Sequence, residues 1–211
     1  IRPGLTAVIG SGGKTSLLRV LAQELSHRGT VLLATTTHIM RPNWCPFAAT
    51  AAELRAGFTH SPVVCAGSYT PEGKLTAPDF PGWQYAADFV LVEADGSKRL
   101  PAKAHAAWEP VLPPERNRTV CVFGASALGQ PIQDAAHRPE LYASLAEVSP
   151  EAVITPAIAA RVLAKEGNFD ILFINQADVL EDPVAALQPL VYTLPCPVIY
   201  GALAEGYWAK L

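Results

Sequence analysis

Short continuous runs of hydrophobic residues alternate along the chain with amphipathic segments. Seven of these runs predict β-strands, at residues 5–10, 31–35, 62–66, 88–93, 118–124, 170–175 and 197–201. After the first run, Lys14–Leu25 carries leucine and valine at the spacing of one helical face. Strands that are apolar throughout and alternate with helices are typical of a parallel sheet covered on both faces. The pattern therefore predicts an α/β fold in which helices flank a mainly parallel sheet.

Polar and special residues mark the ends of several predicted helices. Three helices begin with recognisable capping residues, namely Thr50 with Glu53 in a capping box, Thr155 before Pro156, and Asp182 before Pro183. Gly167 is expected to end the helix that begins at Pro156. The stretches 67–84 and 100–117 show neither periodicity, and loops of that length are often lids or binding loops. A chain of 211 residues with these features is expected to form a single domain, residues 1–211.

Composition narrows the classes of function. Half of the residues are hydrophobic, 17% are charged and the net charge is −3, which fits neither a disordered chain nor a basic nucleic-acid surface. No apolar run approaches the roughly 20 residues that cross a bilayer, and the start of the chain lacks an export signal. The four cysteines lie far apart and are expected to be reduced packing residues. We therefore expect a cytoplasmic protein with neither nucleic-acid nor membrane partners; its oligomeric state is not predicted.

The sharpest chemical signal is a glycine-rich segment between the first strand and the first helix, Gly10-Ser11-Gly12-Gly13-Lys14-Thr15-Ser16. Glycines let successive backbone N–H groups surround a phosphate, and the amino end of a helix favours negative charge. Lys14 is expected to reach the outer phosphates and to act in catalysis, and Thr15 or Ser16 to bind Mg²⁺. The spacing resembles the short G-x-x-G-K-T-[ST] phosphate loop of Mur ligases and folylpolyglutamate synthetases. The segment Gly10 to Ser16 therefore predicts a three-layer phosphate-loop NTPase-like fold that binds a nucleoside triphosphate.

Three threonines and a histidine, Thr35 to His38, follow the second predicted strand. In a doubly wound sheet this strand end lies at the ligand-binding crevice, so Thr36 and Thr37 are candidates to bind Mg²⁺ or a water that contacts it. Threonine is also a common strand residue, and His38 also fits an ordinary loop position.

Two acidic residues follow the fourth predicted strand. Glu93 and Asp95 come directly after Phe89 to Val92, which is the placement of a Walker B carboxylate. We expect one of the two to bind Mg²⁺ and the other to orient the attacking water. Asp95 is assigned to the metal. Glu93 and Asp95 are therefore predicted catalytic residues.

The sixth predicted strand ends in Asn175-Gln176-Ala177-Asp178. This resembles the N-K-x-D motif of GTP-binding proteins, with Gln176 at the lysine position. A carboxylate at Asp178 would accept hydrogen bonds from guanine N1 and N2, which adenine does not offer. Asn175 and Asp178 are therefore predicted to contact the base, with GTP favoured over ATP, although N-x-x-D is also a common turn.

The long loop after the acidic strand end is rich in charged residues. Lys98, Arg99, Lys103 and His105, followed by Glu109, are candidates to bind a second, anionic substrate. Arg138 is a further candidate, either for that substrate or for stabilising the charge that develops in phosphoryl transfer. A solvated loop explains the same residues.

Taken together, the ordered motifs resemble the YqeC family of accessory proteins for selenium-dependent hydroxylases. The resemblance is carried by GSGGKTS, TTTH, VLVEADGSKRLPAKAH, EPVLP, HRPE, ITP and NQAD, which span most of the chain. It implies a nucleotide-binding protein that acts in the maturation of molybdenum hydroxylases, with such a hydroxylase or its cofactor as partner. The chain departs from the family pattern at Ala102, Trp108 and Gln176.

Three functions remain open at this stage. The first is a Mg²⁺-dependent NTPase that assists maturation of a selenium-dependent molybdenum hydroxylase cofactor. The second is an ATP-dependent ligase or small-molecule kinase. The third is a non-catalytic binding module, in which bound nucleotide orders the long loop but is not hydrolysed.

Overall fold

The computed structural model of this protein describes residues 1–211. Nine strands belong to one mainly parallel sheet. The chain divides into two compact units, each built from three segments. The first unit comprises residues 1–8, 15–96 and 111–118, and the second comprises residues 9–14, 97–110 and 119–211.

The first unit has a parallel arrangement of strands with two helices. Its strands are β1 (Gly4–Gly10, of which the last two residues belong to the second unit), β2 (Val31–Thr35), β3 (Phe47–Ala48), β4 (Val63–Ala66), β5 (Ser68–Tyr69), β6 (Leu75–Thr76) and β7 (Phe89–Glu93). The helices are α1 (Lys14–Leu25, from Thr15 onward in this unit) and α2 (Ala51–Phe58). The strands lie in the order β1-β7-β2-β4-β3 and are all parallel, while β5 and β6 form a separate antiparallel pair.

The core of the first unit follows from the alternation of side chains along its strands. Val90 and Val92 of β7 share one face of the sheet, since alternate residues point the same way, and they pack in one cluster with Leu54 of α2 and Trp83. Leu91 between them is also completely buried. Strands that are apolar on both faces must be covered on both, which is why these runs lack polar alternation.

The second unit combines a short run of strands with a row of helices. Its strands are β8 (Ala102–Lys103), β9 (Arg118–Gly124, from Thr119 onward in this unit), β10 (Ala136–His137), β11 (Ile171–Asn175), β12 (Val198–Ala202) and β13 (Tyr207–Lys210). Its helices are α3 (Ile132–Ala135), α4 (Pro139–Ala146), α5 (Pro156–Glu166) and α6 (Pro183–Thr193). The order is β9-β11-β12-β13, with only β13 antiparallel, and helix α5 contacts both α4 and α6. Strands β8 and β10 form a separate parallel pair.

The predicted fold class is confirmed: the protein is an α/β protein with a large, mainly parallel sheet. All seven predicted strands are present, with ends within one residue of the predicted ones. The predicted caps are also present, since Thr155 accepts a hydrogen bond from the Ile158 N–H and Asp182 accepts one from the Ala185 N–H. Gly167 ends α5 in the left-handed conformation.

Several short elements were not predicted. The two stretches without periodicity contain β5, β6, β8 and a 3₁₀ helix at Trp83–Tyr85, each of two or three residues. Strand β8 forms by pairing with β10, which is distant in sequence, so no local pattern predicts it. All four residues of strand β13 are exposed, so it lacks the buried apolar run that marks the other strands of the sheet.

The cysteines are all free thiols, as expected. Cys65 and Cys121 are buried, and Cys45 and Cys196 are half-buried. Burial raises the pKa of the Cys65 thiol to about 12, which keeps it protonated and unreactive at neutral pH. None of the helices combines the length and apolar character needed to cross a membrane. The prediction of a single domain stays a prediction.

Candidate functional site

The turn of the phosphate loop requires glycine for both conformation and space. Gly12 has φ of +88°, and a Cβ built on it would lie 2.4 Å from the backbone N and Cα of Gly124. Gly124 follows the apolar run of β9, and its own N–H donates to the carbonyl of Pro101 at 2.9 Å. Two backbones can approach this closely only when neither residue carries a side chain. Gly124 is thus a part of the site that sequence reasoning missed, although its place at the end of a buried strand was a signal.

Lys14, the lysine of the phosphate loop, is buried, and its side chain turns back over the loop. Its Nζ donates to the carbonyl oxygen of Gly10 at 2.7 Å and lies 3.2 Å from Ser97 Oγ. The Ser11 hydroxyl donates to the Leu100 carbonyl. The segment from Ser97 to Pro101 therefore packs directly on the phosphate loop, and Ser97 is a second contact of this loop that the sequence did not predict.

The N-x-x-D segment lies beside the phosphate loop. Asn175 Nδ2 donates to the Gly12 carbonyl at 2.8 Å, while its Oδ1 accepts from the Leu203 N–H at 3.1 Å. With both ends of its amide used, Asn175 fixes the phosphate loop to the end of β11. The prediction placed these two motifs in one nucleotide site, and within the second unit the structure brings them together.

Gln176 and Asp178 have different surroundings. Gln176 adopts φ of +61°, and its Oε1 accepts a hydrogen bond from Ser126 Oγ at 2.7 Å. This bond directs the glutamine side chain toward the end of β9, where a Cβ at Gly124 would lie 2.4 Å from the same oxygen. Asp178 is exposed. The acidic group that would read a base is thus accessible.

In the first unit, hydroxyl groups gather around Glu93. Thr15 Oγ1 donates to Glu93 Oε2 at 3.1 Å, and the Glu93 carbonyl accepts from Thr35 Oγ1 at 2.8 Å and from the Thr36 N–H at 3.1 Å. The parallel pairing of β2 with β7, which sets Thr35 opposite Glu93, is what brings these groups together. We call Thr15, Thr35, Thr36, Thr37 and Glu93 the hydroxyl–carboxylate cluster.

The predicted metal ligands of the first unit differ in their hydrogen bonds and in their burial. The Thr36 hydroxyl donates a hydrogen bond to the Val111 carbonyl at 2.6 Å, and the Thr37 N–H donates one to Thr35 Oγ1 at 3.0 Å. Asp95 is completely buried, whereas Ser16 is exposed on α1. Thr35, which the sequence placed in the motif without a metal role, is the threonine that contacts Glu93 through both its strand position and its side chain.

The cluster offers oxygen donors suited to magnesium. Hydroxyl and carboxylate oxygens are the protein ligands that Mg²⁺ uses in nucleotide sites, usually one or two at a time beside phosphate oxygens and water. The protein has no group of three or more histidine, cysteine or acidic side chains arranged to hold a metal by themselves. Thr15 and Glu93, 3.1 Å apart, fit an ion that is held partly by a bound nucleotide.

In the second unit, Lys103 and Arg138 bind one carboxylate, that of Glu109. Glu109 Oε2 accepts from Lys103 Nζ at 2.8 Å and from Arg138 Nη1 at 2.6 Å. Burial opposes ionisation of Glu109, but the hydrogen bonds from Lys103 and Arg138 outweigh it and hold its pKa below the ordinary value. The Arg138 guanidinium also lies 5.7 Å from the centre of the Trp108 ring. Glu109 therefore carries its charge at neutral pH and organises the cations around it.

The other candidates for a second substrate separate from one another. His105 contacts Glu166 of α5: its Nδ1 lies 2.9 Å from Oε2, and its backbone N–H donates to Glu166 Oε1. Lys98 and Arg99 are exposed, and both have positive φ, +49° and +63°. Left-handed backbone at residues other than glycine is uncommon and tends to occur at functional loops. Lys103 and Arg138 are therefore joined by Glu109, whereas His105 belongs to a separate pair.

Comparison with known proteins places this chain in a family. The family model described as "YqeC protein" matches residues 6–140, more than half of the chain. A protein of Escherichia coli (strain K12) described as "Uncharacterized protein YqeC" is 32% identical over 213 residues, covering 90% of this chain and 83% of the relative. No solved structure shows significant similarity. With this family match, and with a relative that shares nearly its whole length, the chain belongs to the YqeC family.

Proposed function

We propose that this protein is a Mg²⁺-dependent nucleoside-triphosphate hydrolase with a preference for GTP. The observation that carries the proposal is the hydrogen bond from Asn175 Nδ2 to the Gly12 carbonyl, 2.8 Å long. It joins the glycine-rich loop, which suits phosphates, to the segment whose exposed Asp178 suits a guanine base. An ordinary turn would need neither a glycine-rich loop nor an exposed carboxylate at the end of β11.

The phosphate loop and the predicted metal ligands have the following roles in this proposal. The backbone N–H groups from Gly10 to Lys14, at the amino end of α1, surround the phosphates. Lys14 exchanges its hydrogen bond to the Gly10 carbonyl for one to an outer phosphate oxygen, where its charge offsets the charge that develops in the transition state. Thr15, Thr36, Thr37 and Asp95 supply the oxygens that hold Mg²⁺.

Hydrolysis then requires a positioned water molecule. A water oxygen bonds to the γ-phosphorus as the bond to the oxygen bridging the β- and γ-phosphates breaks, and nucleoside diphosphate and inorganic phosphate are released. Glu93, which is 7% exposed, is the group that orients this water and accepts its proton. Bound Mg²⁺ neutralises charge on the β- and γ-phosphates.

The family resemblance supports a more specific role. We propose that nucleotide hydrolysis assists maturation of a selenium-dependent molybdenum hydroxylase, with that enzyme or its cofactor as partner. A second candidate function, a small-molecule kinase, is favoured by one observation: the segment that packs on the phosphate loop through Ser97 and Leu100 continues into the cations around Glu109. Release of phosphate without any added acceptor distinguishes the hydrolase from the kinase.

The test is calorimetric binding of GTP and ATP with Mg²⁺, combined with an assay of phosphate release. Lys14→Ala should weaken GTP binding by about 100-fold or more, since a charge-assisted contact to phosphate contributes about 1.5–3 kcal/mol and its loss leaves phosphate charge uncompensated. Lys74→Ala, which removes an exposed lysine of the first unit, is the matched control and should bind GTP as the wild type does. Unchanged affinity in a folded Lys14→Ala protein would refute the phosphate-loop assignment.

The same assay separates the two acidic residues. Asp95→Asn and Glu93→Gln should each lower turnover more than nucleotide binding, because both act on the metal and on charge that develops in the transition state. A loss confined to Glu93→Gln would transfer the whole carboxylate role to Glu93. Wild-type turnover in both variants at saturating Mg²⁺ would contradict the catalytic assignment.

A further inference from the structure

The two cations that bind Glu109 differ in their exposure to solvent. We call Lys98, Lys103, His137 and Arg138, with Glu109 and Trp108, the basic cluster. The Lys103 side chain is 0% exposed, whereas that of Arg138 is 24% exposed, and both bind the same oxygen of Glu109. The parallel pairing of β8 with β10 sets Lys103 beside His137. Lys103 thus holds the carboxylate from inside, and Arg138 is the cation that faces outward.

The basic cluster carries more positive charge than its own carboxylate neutralises. Glu109 offsets one of the two cations that bind it, so a positive charge remains. Burial, and after it the positive charges of Arg138, Lys103 and Lys98, lower the pKa of His137, and the Lys98 side chain is itself exposed. Arg138 uses one N–H in its bond to Glu109, and an arginine has five donors. The remaining donors are free to bind an anion through two parallel hydrogen bonds.

An aromatic surface adjoins the accessible arginine. Trp108 is 75% exposed, and the Arg138 guanidinium lies 5.7 Å from the centre of its ring. An exposed tryptophan next to an arginine suits a flat ring that bears an anionic group, since indole stacks on rings and guanidinium binds anions. In the same place, the buried Nδ1 of His137 has no hydrogen-bond partner. Buried polar atoms are rarely left without a partner, so His137 is an unusual feature next to Arg138.

The basic cluster borders the phosphate loop through continuous chain. Ser97, whose hydroxyl lies 3.2 Å from Lys14 Nζ, immediately precedes Lys98. Arg138 occupies the position before α4, and the first turn of that helix has no side-chain cap. The charge, the ring and the position beside the phosphate loop therefore coincide in one part of the second unit.

We propose that the basic cluster is a binding site for a small molecule that carries a phosphate or carboxylate on a flat ring. Arg138 and Lys98 bind the anionic group, Trp108 stacks on the ring, and Glu109 is a positioning residue that orients Arg138. The description of this compound as a second substrate rests on the proposed function, whereas its binding does not. Compared with the sequence prediction, the site gains Trp108 and omits Arg99 and His105, the second of which contacts Glu166.

The test is calorimetric titration of the nucleotide-free protein with 1-naphthyl phosphate, a flat ring with one phosphate. Arg138→Ala should weaken binding by about tenfold or more, the factor that corresponds to about 1.4 kcal/mol. Trp108→Ala should weaken it by about threefold or more through lost stacking, and since Trp108 is 75% exposed this variant leaves the core intact. Arg55→Ala, at an exposed arginine of the first unit, is the matched control and should bind as the wild type does.

The Lys14→Ala variant keeps this proposal distinct from the proposed function. It should bind 1-naphthyl phosphate with wild-type affinity, because the probe occupies the basic cluster and not the phosphate loop. Failure of GTP to bind the wild type, with 1-naphthyl phosphate still dependent on Arg138, would overturn the NTPase and leave the anion site standing. Binding lost in Lys14→Ala, binding unaffected in both Arg138→Ala and Trp108→Ala, or no binding to the wild type would each overturn the anion site. 1-Naphthoate in place of the phosphate tells which anionic group is preferred.

Discussion

At the scale of single residues, asparagine and lysine in the phosphate loop region illustrate how a side chain prepares a site before a ligand arrives. Asn175 satisfies one carbonyl of the loop and one N–H from the turn after β12, so its position is fixed from both sides. Lys14 is held on the Gly10 carbonyl at 2.7 Å, close to the phosphates it is proposed to bind. A fixed side chain loses less conformational entropy when the ligand binds.

The base preference is decided by one accessible carboxylate. Asp178→Asn should shift preference from GTP toward xanthosine triphosphate, because an amide donates where xanthine offers a carbonyl at C2, while the wild-type carboxylate accepts from the guanine amine. The expected change in the GTP-to-xanthosine-triphosphate ratio is about tenfold or more, given about 1 to 3 kcal/mol for an unpaired polar group. Competition titrations on both proteins measure it.

Gln176 supplies the internal check on this prediction. Its Oε1 is bound to Ser126, so it lacks the charge and the long stem that lysine brings to N-K-x-D sites. Gln176→Lys should therefore tighten GTP binding. Equal affinities for GTP and ATP in the wild type, unaltered by Asp178→Asn, would make residues 175–178 an ordinary turn.

At the scale of elements, close backbone contact sets the limits on the turn between β1 and α1. Gly12 and Gly124 approach so closely that a single methyl group would overlap the opposing backbone. This contact joins the turn after β1 to the end of β9 within the second unit. The hydrogen bond from the Gly124 N–H to the Pro101 carbonyl attaches the loop that contains Lys98 and Arg99 to the same point. The phosphate loop is thus positioned by tertiary contacts as well as by its own glycines.

Two alanine substitutions separate crowding from backbone strain. Gly12→Ala and Gly73→Ala both place a side chain at positive φ, +88° and +76°, but only Gly12 has backbone within 4 Å of the new Cβ. Gly73→Ala should lower the free energy of unfolding by about 1–2 kcal/mol from left-handed strain alone. Gly12→Ala should lose clearly more, with nucleotide binding lost as well. Urea denaturation of the two variants measures the difference, and equal losses would argue against the close contact.

At the scale of the whole molecule, the charges that are proposed to bind an anion also make folding depend on pH. Burial, together with Arg138 and Lys103, lowers the pKa of His137 below 6.5, so the folded protein resists protonation of this residue. The pKa of Glu109 is lowered as well. Both groups contribute stability at neutral pH that is lost on acidification, although over different ranges.

The direction of this dependence follows from proton uptake. As pH falls below about 6.5, the unfolded chain protonates His137 before the folded protein does, so the free energy of unfolding decreases. The Glu109 contribution is lost only at lower pH, as pH falls from the ordinary carboxyl pKa through the lowered one. His137→Gln should therefore reduce the loss of stability between pH 7.5 and about 5.5, whereas His60→Gln, at an exposed histidine, should not. Denaturation midpoints across this range test it, and identical slopes in wild type and His137→Gln would contradict it.

Much of this molecule follows from sequence alone. The seven main strands were predicted from continuous apolar runs. A strand that is buried on both faces has no polar alternation, so it can be recognised from its own residues without knowledge of its partners. Helix ends were equally local, since the caps at Thr50, Thr155 and Asp182 bond to N–H groups only three residues away. The phosphate loop and the acidic strand end were also visible, because each is a short motif at the end of a recognisable strand.

Only the tertiary structure decided which of these motifs meet. The contact of Asn175 with Gly12 spans most of the chain, as does that of Gly124, and a sequence pattern carries no information about pairs so far apart. The charged loop was one group in the sequence, yet pairing of β8 with β10 joined Lys103 to Glu109 and Arg138, while His105 found Glu166 on α5. Charged side chains are long and solvated in the unfolded chain, so their partners are fixed by where the backbone places them rather than by their order in sequence.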